Sequence, residues 1–207
     1  MDERLVWNFE FANGKALKYP ELLAMDAEEV KWEVRFFWSH DAIITLFNVD
    51  DALLDLTNYH QKHKEDFYFL VPDCNYNIKK RRNELFYKPV VQQHKEAIAF
   101  GPKIKLGHLK ELNICDVKTI QHLEAILART RTDGVQVFVR KEAFKFKFPT
   151  SPHVKLELAR LEVRNEVYFS ACIEGRSLYL VEKIREHLLG EHLSCDYVSF
   201  LKKIMQS

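Results

Sequence analysis

Residues 30–38, VKWEVRFFW, alternate without a break. Trp32, Val34, Phe36 and Trp38 fall on one side, and Lys31, Glu33, Arg35 and Phe37 on the other. A period of two with aromatic and β-branched residues predicts a strand. Residues 41–64 carry Leu46, Val49, Leu53, Leu54 and Leu56 at mixed spacing, and a helix is expected over 50–63. FYFL at 67–70 reads as a short strand, followed by a Pro-Asp-Cys-Asn turn. YNIKKRRNELFYKP at 76–89 then predicts two short strands joined by a tight turn around Asn83-Glu84. Lys79 and Arg81 share a face of the first arm, and Phe86 and Lys88 share one of the second. In residues 116–130, Val117, Ile120, Leu123, Ile126 and Leu127 recur at three- and four-residue steps behind Asp116 as N-cap, which predicts an amphipathic helix. Past Asp133-Gly134 the chain is strand-like through VQVFVRKEAF, KFKF, VKLELARLEV (154–163) and EVYFSACIEG (166–175), divided by Pro149, Pro152 and a turn near Asn165. Helical periodicity fills 176–206, broken at Gly190.

This order of elements lacks regular βαβ alternation, so an α+β fold is expected, an antiparallel sheet or barrel with flanking helices. No repeat, low-complexity stretch or Gly/Ser/Pro-rich linker divides the 207 residues, and one domain over 1–207 is the reading. Hydrophobic content of 47% and charged content of 29% exclude disorder and a disulfide scaffold. No apolar run approaches the roughly 18 residues of a membrane span. MDERLVWNFE lacks the features of a secretory signal, and Cys74, Cys115, Cys172 and Cys195 show neither CxxC nor zinc-ligand spacing. A cytoplasmic protein with reduced thiols and no membrane partner is therefore expected.

The net charge of +1 hides an uneven distribution. Residues 1–70 hold seven Lys/Arg against fourteen Asp/Glu. By contrast, residues 79–88 hold Lys79, Lys80, Arg81, Arg82 and Lys88 against Glu84. Residues 140–160 hold Arg140, Lys141, Lys145, Lys147, Lys155 and Arg160 against Glu142 and Glu157. Two basic segments in a neutral protein point to a localised anion site. Several strands pair an apolar face with a charged one: Glu33 with Arg35, Lys79 with Arg81, Lys145 with Lys147, and Lys155 with Glu157. Arg160 and Glu162 fall on the other parity, which needs a bulge or a two-sided strand. The plain alternative is an antiparallel sheet with one solvated face. Against it, bases dominate some strands and acids recur on others (Glu157, Glu162, Glu166, Glu174). Such a lining would suit a polyphosphate and the divalent cation that accompanies it.

IKKRRNELFYKP (78–89), with its alternating Lys-x-Arg strand turning into one that carries Lys88, resembles the hairpin of the triphosphate tunnel metalloenzymes, the CYTH superfamily. VKLELARLEV and EVYFSACIEG are similar to that superfamily's acidic strand pair. WEVRFFW (32–38) sits where those proteins carry a Glu-x-Glu-x-Lys motif. The resemblance spans residues 30–175 in order. It implies an eight-stranded antiparallel closed β-barrel, a tunnel with helices outside, that binds a triphosphate with Mg²⁺ or Mn²⁺ and hydrolyses inorganic tripolyphosphate, thiamine triphosphate or a nucleoside triphosphate, or cyclises ATP. Carried onto this chain, the catalytic set is Glu33, Lys79, Arg81 and Glu157. The phosphate-binding set is Arg35, Lys79, Arg81, Lys88, Arg140, Lys145, Lys147, Lys155 and Arg160. The metal ligands are Glu33, Glu157, Glu162 and Glu174, and single Gln substitutions at Glu33, Glu157 or Glu162 are expected to stop turnover while sparing the fold.

The chain also departs from the pattern. Lys31 stands where the first motif glutamate falls, Arg35 replaces its lysine, and Phe86 occupies an often acidic position. A cation beside a metal site weakens metal binding, so a non-catalytic module for polyphosphate, nucleotide or RNA is the alternative. Aromatics in the basic segments (Phe86, Tyr87, Phe144, Phe146, Phe148) keep base stacking open. His60 and His63, three apart at the expected helix end, read as solvent-exposed, and Cys172 reads as strand packing. Trp7, Phe9, Phe11 and Tyr19 are exposed aromatics in this reading, available to cover the barrel or a partner chain.

Overall fold

Period-two patterning dominates the chain, and the computed structural model is correspondingly a β structure. It describes residues 4–12, 27–111, 116–190, 192 and 194–206; Tyr19 and Cys115 lie outside them. Strands β1 (Arg4–Val6), β2 (Phe9–Ala12) and β4 (Ile44–Phe47) form a small sheet in which β2 and β4 run parallel. The main sheet holds β3 (Lys31–Ser39), β5 (His60–Leu70), β6 (Asn77–Arg81), β7 (Glu84–Lys88), β8 (Val90–His94), β9 (Ala97–Phe100), β10 (Ile104–Lys105), β11 (Val135–Lys147), β12 (Val154–Val163) and β13 (Glu166–Gly175). All its pairings are antiparallel, in the order β10-β7-β6-β5-β11-β12-β13-β3-β9-β8. The helices are α1 (Asp51–Leu54), α2 (Val117–Asp133), α3 (Leu178–Leu189) and α4 (Tyr197–Gln206).

The main sheet curls into a half-barrel. Lys88 on β7 reaches Glu33 on β3 at 3.3 Å, although five strands lie between them in the sheet. This corrects the expected eight-stranded closed barrel: ten strands are present, and the end strands β10 and β8 do not pair with each other. The chain itself bridges the ends, because only Pro89 separates β7 from β8. Proline lacks the N–H that a continuous ladder would use, and here the chain changes partners, from β6 and β10 to β9.

The expected helix over 50–63 is also corrected. Only Asp51–Leu54 is α-helical, capped by the Asp50 carboxylate, which accepts from Leu53 N–H at 2.9 Å. A 3₁₀ turn follows at Leu56–Asn58, and from His60 the chain is strand. Eleven consecutive residue pairs with β11 fix this segment, from Lys145↔His60 to Val135↔Leu70. His60–Glu65 shows no hydrophobic alternation because both faces of the strand carry polar residues there. Its period of two is therefore invisible to a hydropathy pattern, and His60 and His63, both exposed, point to opposite faces.

The other elements follow their local signals. Asp116 caps α2 by accepting from Lys118 and Thr119 N–H, and Leu123 and Ile126 bury the helix against Ile78 and Tyr87 outside the β6–β7 hairpin. The hairpin turn falls at Arg82-Asn83, one residue before the expected position, and a second at Arg164-Asn165. In each, both residues have positive φ, the backbone that two-residue hairpin turns require. The small sheet and α3 bury Phe9, Ile44, Leu46, Leu180, Val181 and Ile184 against Trp32, Val34, Phe36, Leu156 and Ile173 on the convex side of the main sheet. Phe9 and Phe11 are thus core, not exposed, and half-buried Trp7 packs edge-on to Phe144. Helix α4 takes the opposite side. Tyr197, Val198, Phe200 and Leu201 cover an apolar area of the concave face built from Tyr68, Leu70, Val137, Val139, Ala143, Ala159, Leu161 and Val163. No helix among the described residues is long and apolar enough to cross a membrane.

Candidate anion site on the concave face

The area that α4 leaves uncovered is charged. Strand register sets which residues reach it. Glu33 lies opposite Glu174, Arg35 opposite Cys172, Glu157 opposite both Cys172 and Lys145, and Lys141 opposite Lys64. Lys79 pairs with Tyr68, and Lys88 with Asn77. Alternation therefore brings Lys31, Arg35, Lys64, Lys79, Arg81, Lys88, Lys141 and Lys145 to one face with Glu33, Asp66, Glu157 and Glu174.

Glu157 is the hub. It is 2% exposed, and its Oε1 accepts from Lys141 Nζ at 2.7 Å and Arg35 Nη1 at 3.1 Å, while Lys145 Nζ lies 2.7 Å from Oε2. Arg35 Nε donates to Glu33 Oε1 at 2.9 Å, and Lys88 Nζ reaches Glu33 Oε2. Glu174 is held by Lys31 Nζ at 2.8 Å and more loosely by Lys145 at 3.7 Å. A second centre forms on Asp66, which accepts a two-point contact from Arg81 with both distances 2.6 Å, and a bond from Lys79 at 3.2 Å. The α4 residue Tyr197 borders the network, its ring 4.9 Å from the Arg35 guanidinium carbon.

Burial by itself raises a carboxyl's pKa, yet the surrounding cations reverse the sign here. Arg35 and Lys88 hold Glu33 far below the usual carboxylate range; Lys141, Arg35 and Lys145 do the same for Glu157. Glu174 is lowered by Lys31 and Lys145, and Asp66 by Arg81 and Lys79. A carboxylate depressed in the folded state contributes stability that is present above its unfolded value and lost as pH falls through the folded one. The unfolded references are 4.5 for Glu and 3.8 for Asp. Stability is therefore expected to hold above about pH 5 and to fall steadily below it. Denaturant titrations at pH 7, 4.5 and 3 check this; a midpoint unchanged down to pH 3 would show that the network contributes nothing.

Of the residues singled out from sequence, Glu33, Arg35, Lys79, Arg81, Lys88, Lys145, Glu157 and Glu174 meet on this face. Lys147 and Lys155 share its parity and pair with each other, but both are exposed at its end. Arg140, Arg160 and Glu162 do not join it. The β11–β12 register runs unbroken from Val139↔Val163 to Lys147↔Lys155, so no bulge corrects their parity and β12 is two-sided. On the outer face Glu162 accepts from Arg160 at 2.6 Å and from Arg140 at 3.1 Å. Open clefts of 680 Å³ and 1050 Å³ are each lined in part by Phe138 and Arg140, with Arg160 and Glu162 in the first. The larger also reaches the concave face through Lys64 and Arg81.

Sequence reading missed Asp66, Lys64, Lys141 and Tyr197 as site residues; on β11 it selected Arg140, which points outward, in place of its neighbour Lys141. The first two sit on the strand partly mistaken for helix; had that strand been drawn from Leu70 backwards, Asp66 and Lys64 would share parity with Tyr68. Tyr197 carries no local signal.

Among the described residues, one group on this face could hold a divalent cation. Ligand atoms of Glu33, Cys172 and Glu174 lie within 4.8 Å of one another. The two carboxylates supply the oxygen donors that Mg²⁺ or Mn²⁺ prefers, and Mg²⁺ is commonly held by one or two carboxylates with substrate phosphates completing the shell. Cys172 adds no oxygen, and burial pushes its thiol well above the ordinary range. Glu157 suits a metal less, because it is the most buried of the three glutamates and holds three cations within 3.1 Å; Glu33 holds two, Arg35 and Lys88, and would have to share its oxygens with them. Lys31, the cation nearest this place on Glu174, has a side chain 40% exposed and can swing into solvent.

No protein-family model and no curated protein matches this chain. Among solved structures, the PH1819 protein from Pyrococcus horikoshii OT3 is similar over 83% of this chain and 99% of its own, with 18% identity and a TM-score of 0.38. This likeness is too distant to assign a fold family or an activity.

Proposed function

We propose that the concave face binds a linear triphosphate and that the protein hydrolyses it with Mg²⁺ or Mn²⁺, as a divergent relative of the triphosphate tunnel metalloenzymes. One observation carries the reading: eight Lys/Arg side chains face four carboxylates in a half-barrel shielded at one end by α4. Holding so many cations together in a water-poor space is costly unless an anion completes the charge balance. Tripolyphosphate, thiamine triphosphate and nucleoside triphosphates offer that charge in a chain of phosphates. Lys79, Arg81 and Lys88 hold phosphate oxygens, with Lys141 and Lys145 behind them. Arg and Lys so fixed stabilise charge developing on a transferring phosphoryl group. A divalent cation on Glu33 and Glu174 would polarise phosphate oxygens. Asp66 positions Lys79 and Arg81, while Glu157 positions Lys141, Lys145 and Arg35.

A second reading, binding without turnover, is favoured by Lys31 at 2.8 Å from Glu174. Phosphate release from tripolyphosphate, thiamine triphosphate and ATP, each with Mg²⁺, Mn²⁺ or EDTA, separates the two. Hydrolysis is expected with metal, lost in EDTA, and reduced about 100-fold in Glu174→Gln, the order seen when one preorganised charge is removed. Tight binding without release selects the binding module, a cyclic product from ATP selects a cyclase, and neither binding nor release overturns the assignment of this face.

A further inference from the structure

Among the buried or half-buried bases of the concave face, Lys64 stands apart. Lys31, Arg35, Lys79, Arg81, Lys88, Lys141 and Lys145 each lie in an ion pair. No carboxylate among the described residues lies within ion-pair distance of Lys64. It projects from the middle of β5 directly opposite Lys141, and it also lines the 1050 Å³ cleft with Arg81. Lys64 is half-buried and so keeps contact with solvent, and the cations nearest to it are already committed to other carboxylates.

We propose that Lys64 is the anion-sensing contact of this face: a phosphate oxygen of the bound polyphosphate supplies the negative partner the protein withholds, and the amine takes up one solvent proton as it binds. The inference rests on the polyphosphate reading and adds a coupled proton to it.

The charged groups facing Lys64 are Lys141 and Lys145 on β11, Glu157 on β12, Arg81 on β6, and Lys62 and Asp66 on its own strand. Burial, then Lys141, pull its pKa down to about 7; Glu157 opposes them, and Lys145 and Arg81 add smaller contributions to the drop. Near neutral pH the empty site therefore holds a mixture of amine and ammonium. A polyanion cancels the like-charge field and favours the ammonium, so binding draws a proton from the buffer. The step is an acid–base equilibrium in which only a proton is exchanged with buffer.

Calorimetric titration of the intact protein with inorganic tripolyphosphate in EDTA, at pH 8 and in two buffers of different ionisation enthalpy, measures the protons taken up. Lys64→Arg cannot lose its charge, and Lys64→Met has none. Wild-type protein is expected to take up close to one proton more than Lys64→Arg, which cancels any contribution from the ligand's own titration. Lys64→Met is expected to bind about tenfold more weakly than wild type at pH 6.5, the loss of one charge-assisted contact. Equal uptake by wild type and Lys64→Arg, or wild-type affinity in Lys64→Met, overturns the role of Lys64 and leaves the polyphosphate reading intact. Absence of any wild-type binding removes that reading, and this inference with it.

Discussion

Glu157→Gln is expected to cost about 3–5 kcal/mol of folding free energy, the range for removing one partner of a buried ion pair. The amide has nearly the shape of the carboxylate, so the loss is one of charge. Arg35, Lys141 and Lys145 would be left facing one another, with Arg35 keeping only Glu33 as a carboxylate partner and Lys145 only the 3.7 Å contact to Glu174. An amide can accept at one oxygen but presents donors where Lys145 now meets Oε2. This expected loss runs against the reading that Gln at this position spares the fold, because Glu157 holds three cations of the network. Urea unfolding measures the loss. Tripolyphosphate should raise the variant's midpoint more than the wild type's, because an anion bound among the same cations replaces part of the missing charge. A midpoint within experimental error of wild type would mean that the three cations find other partners, and the ion network would lose its central member.

Phe200→Ala is expected to cost about 3–5 kcal/mol as well, through packing. Phe200 is 7% exposed; its ring lies parallel to Phe37 with centroids 3.9 Å apart and meets Tyr168 edge-on at 5.2 Å. Phe37 and Tyr168 belong to β3 and β13, so the ring ties α4 to two strands of the concave face. Its loss leaves a cavity under a ten-residue helix that is too short to be stable alone. The charged area then gains water from the α4 side, which weakens the ion pairs beside Tyr197. Lys203→Ala, on the exposed side of the same helix, should change stability by less than about 0.5 kcal/mol. Equal effects of the two substitutions would show that α4 is not docked as described.

Where local chemistry dictated structure, the sequence was a sufficient guide. Asp116 capped the helix it was expected to cap, and VKLELARLEV and EVYFSACIEG are strands over the expected residues. Lys79 and Arg81 share a face because any strand with that spacing places them so. The failures have a common physical origin. Hydropathy reveals a strand only when its two faces differ in polarity, and over His60–Glu65 they do not, so the pattern shows only the end of β5 and gives no sign that Asp66 and Lys64 share a face. Likewise, Arg140, Arg160 and Glu162 carry suitable chemistry, but the unbroken β11–β12 register sends them outward.

The sequence by itself determined the antiparallel β character of the chain, a helix behind Asp116, helical structure on both sides of Gly190, and the presence of charged strand faces, because these depend on spacing between near neighbours. Only the tertiary structure decided that the ten-stranded sheet curls without its end strands pairing, that α4 fills one side of the concave face, and that Glu157 gathers Arg35, Lys141 and Lys145 around one carboxylate. Those features depend on pairings between residues as far apart as Arg35 and Glu157, and on how far the sheet curls. No local pattern encodes either.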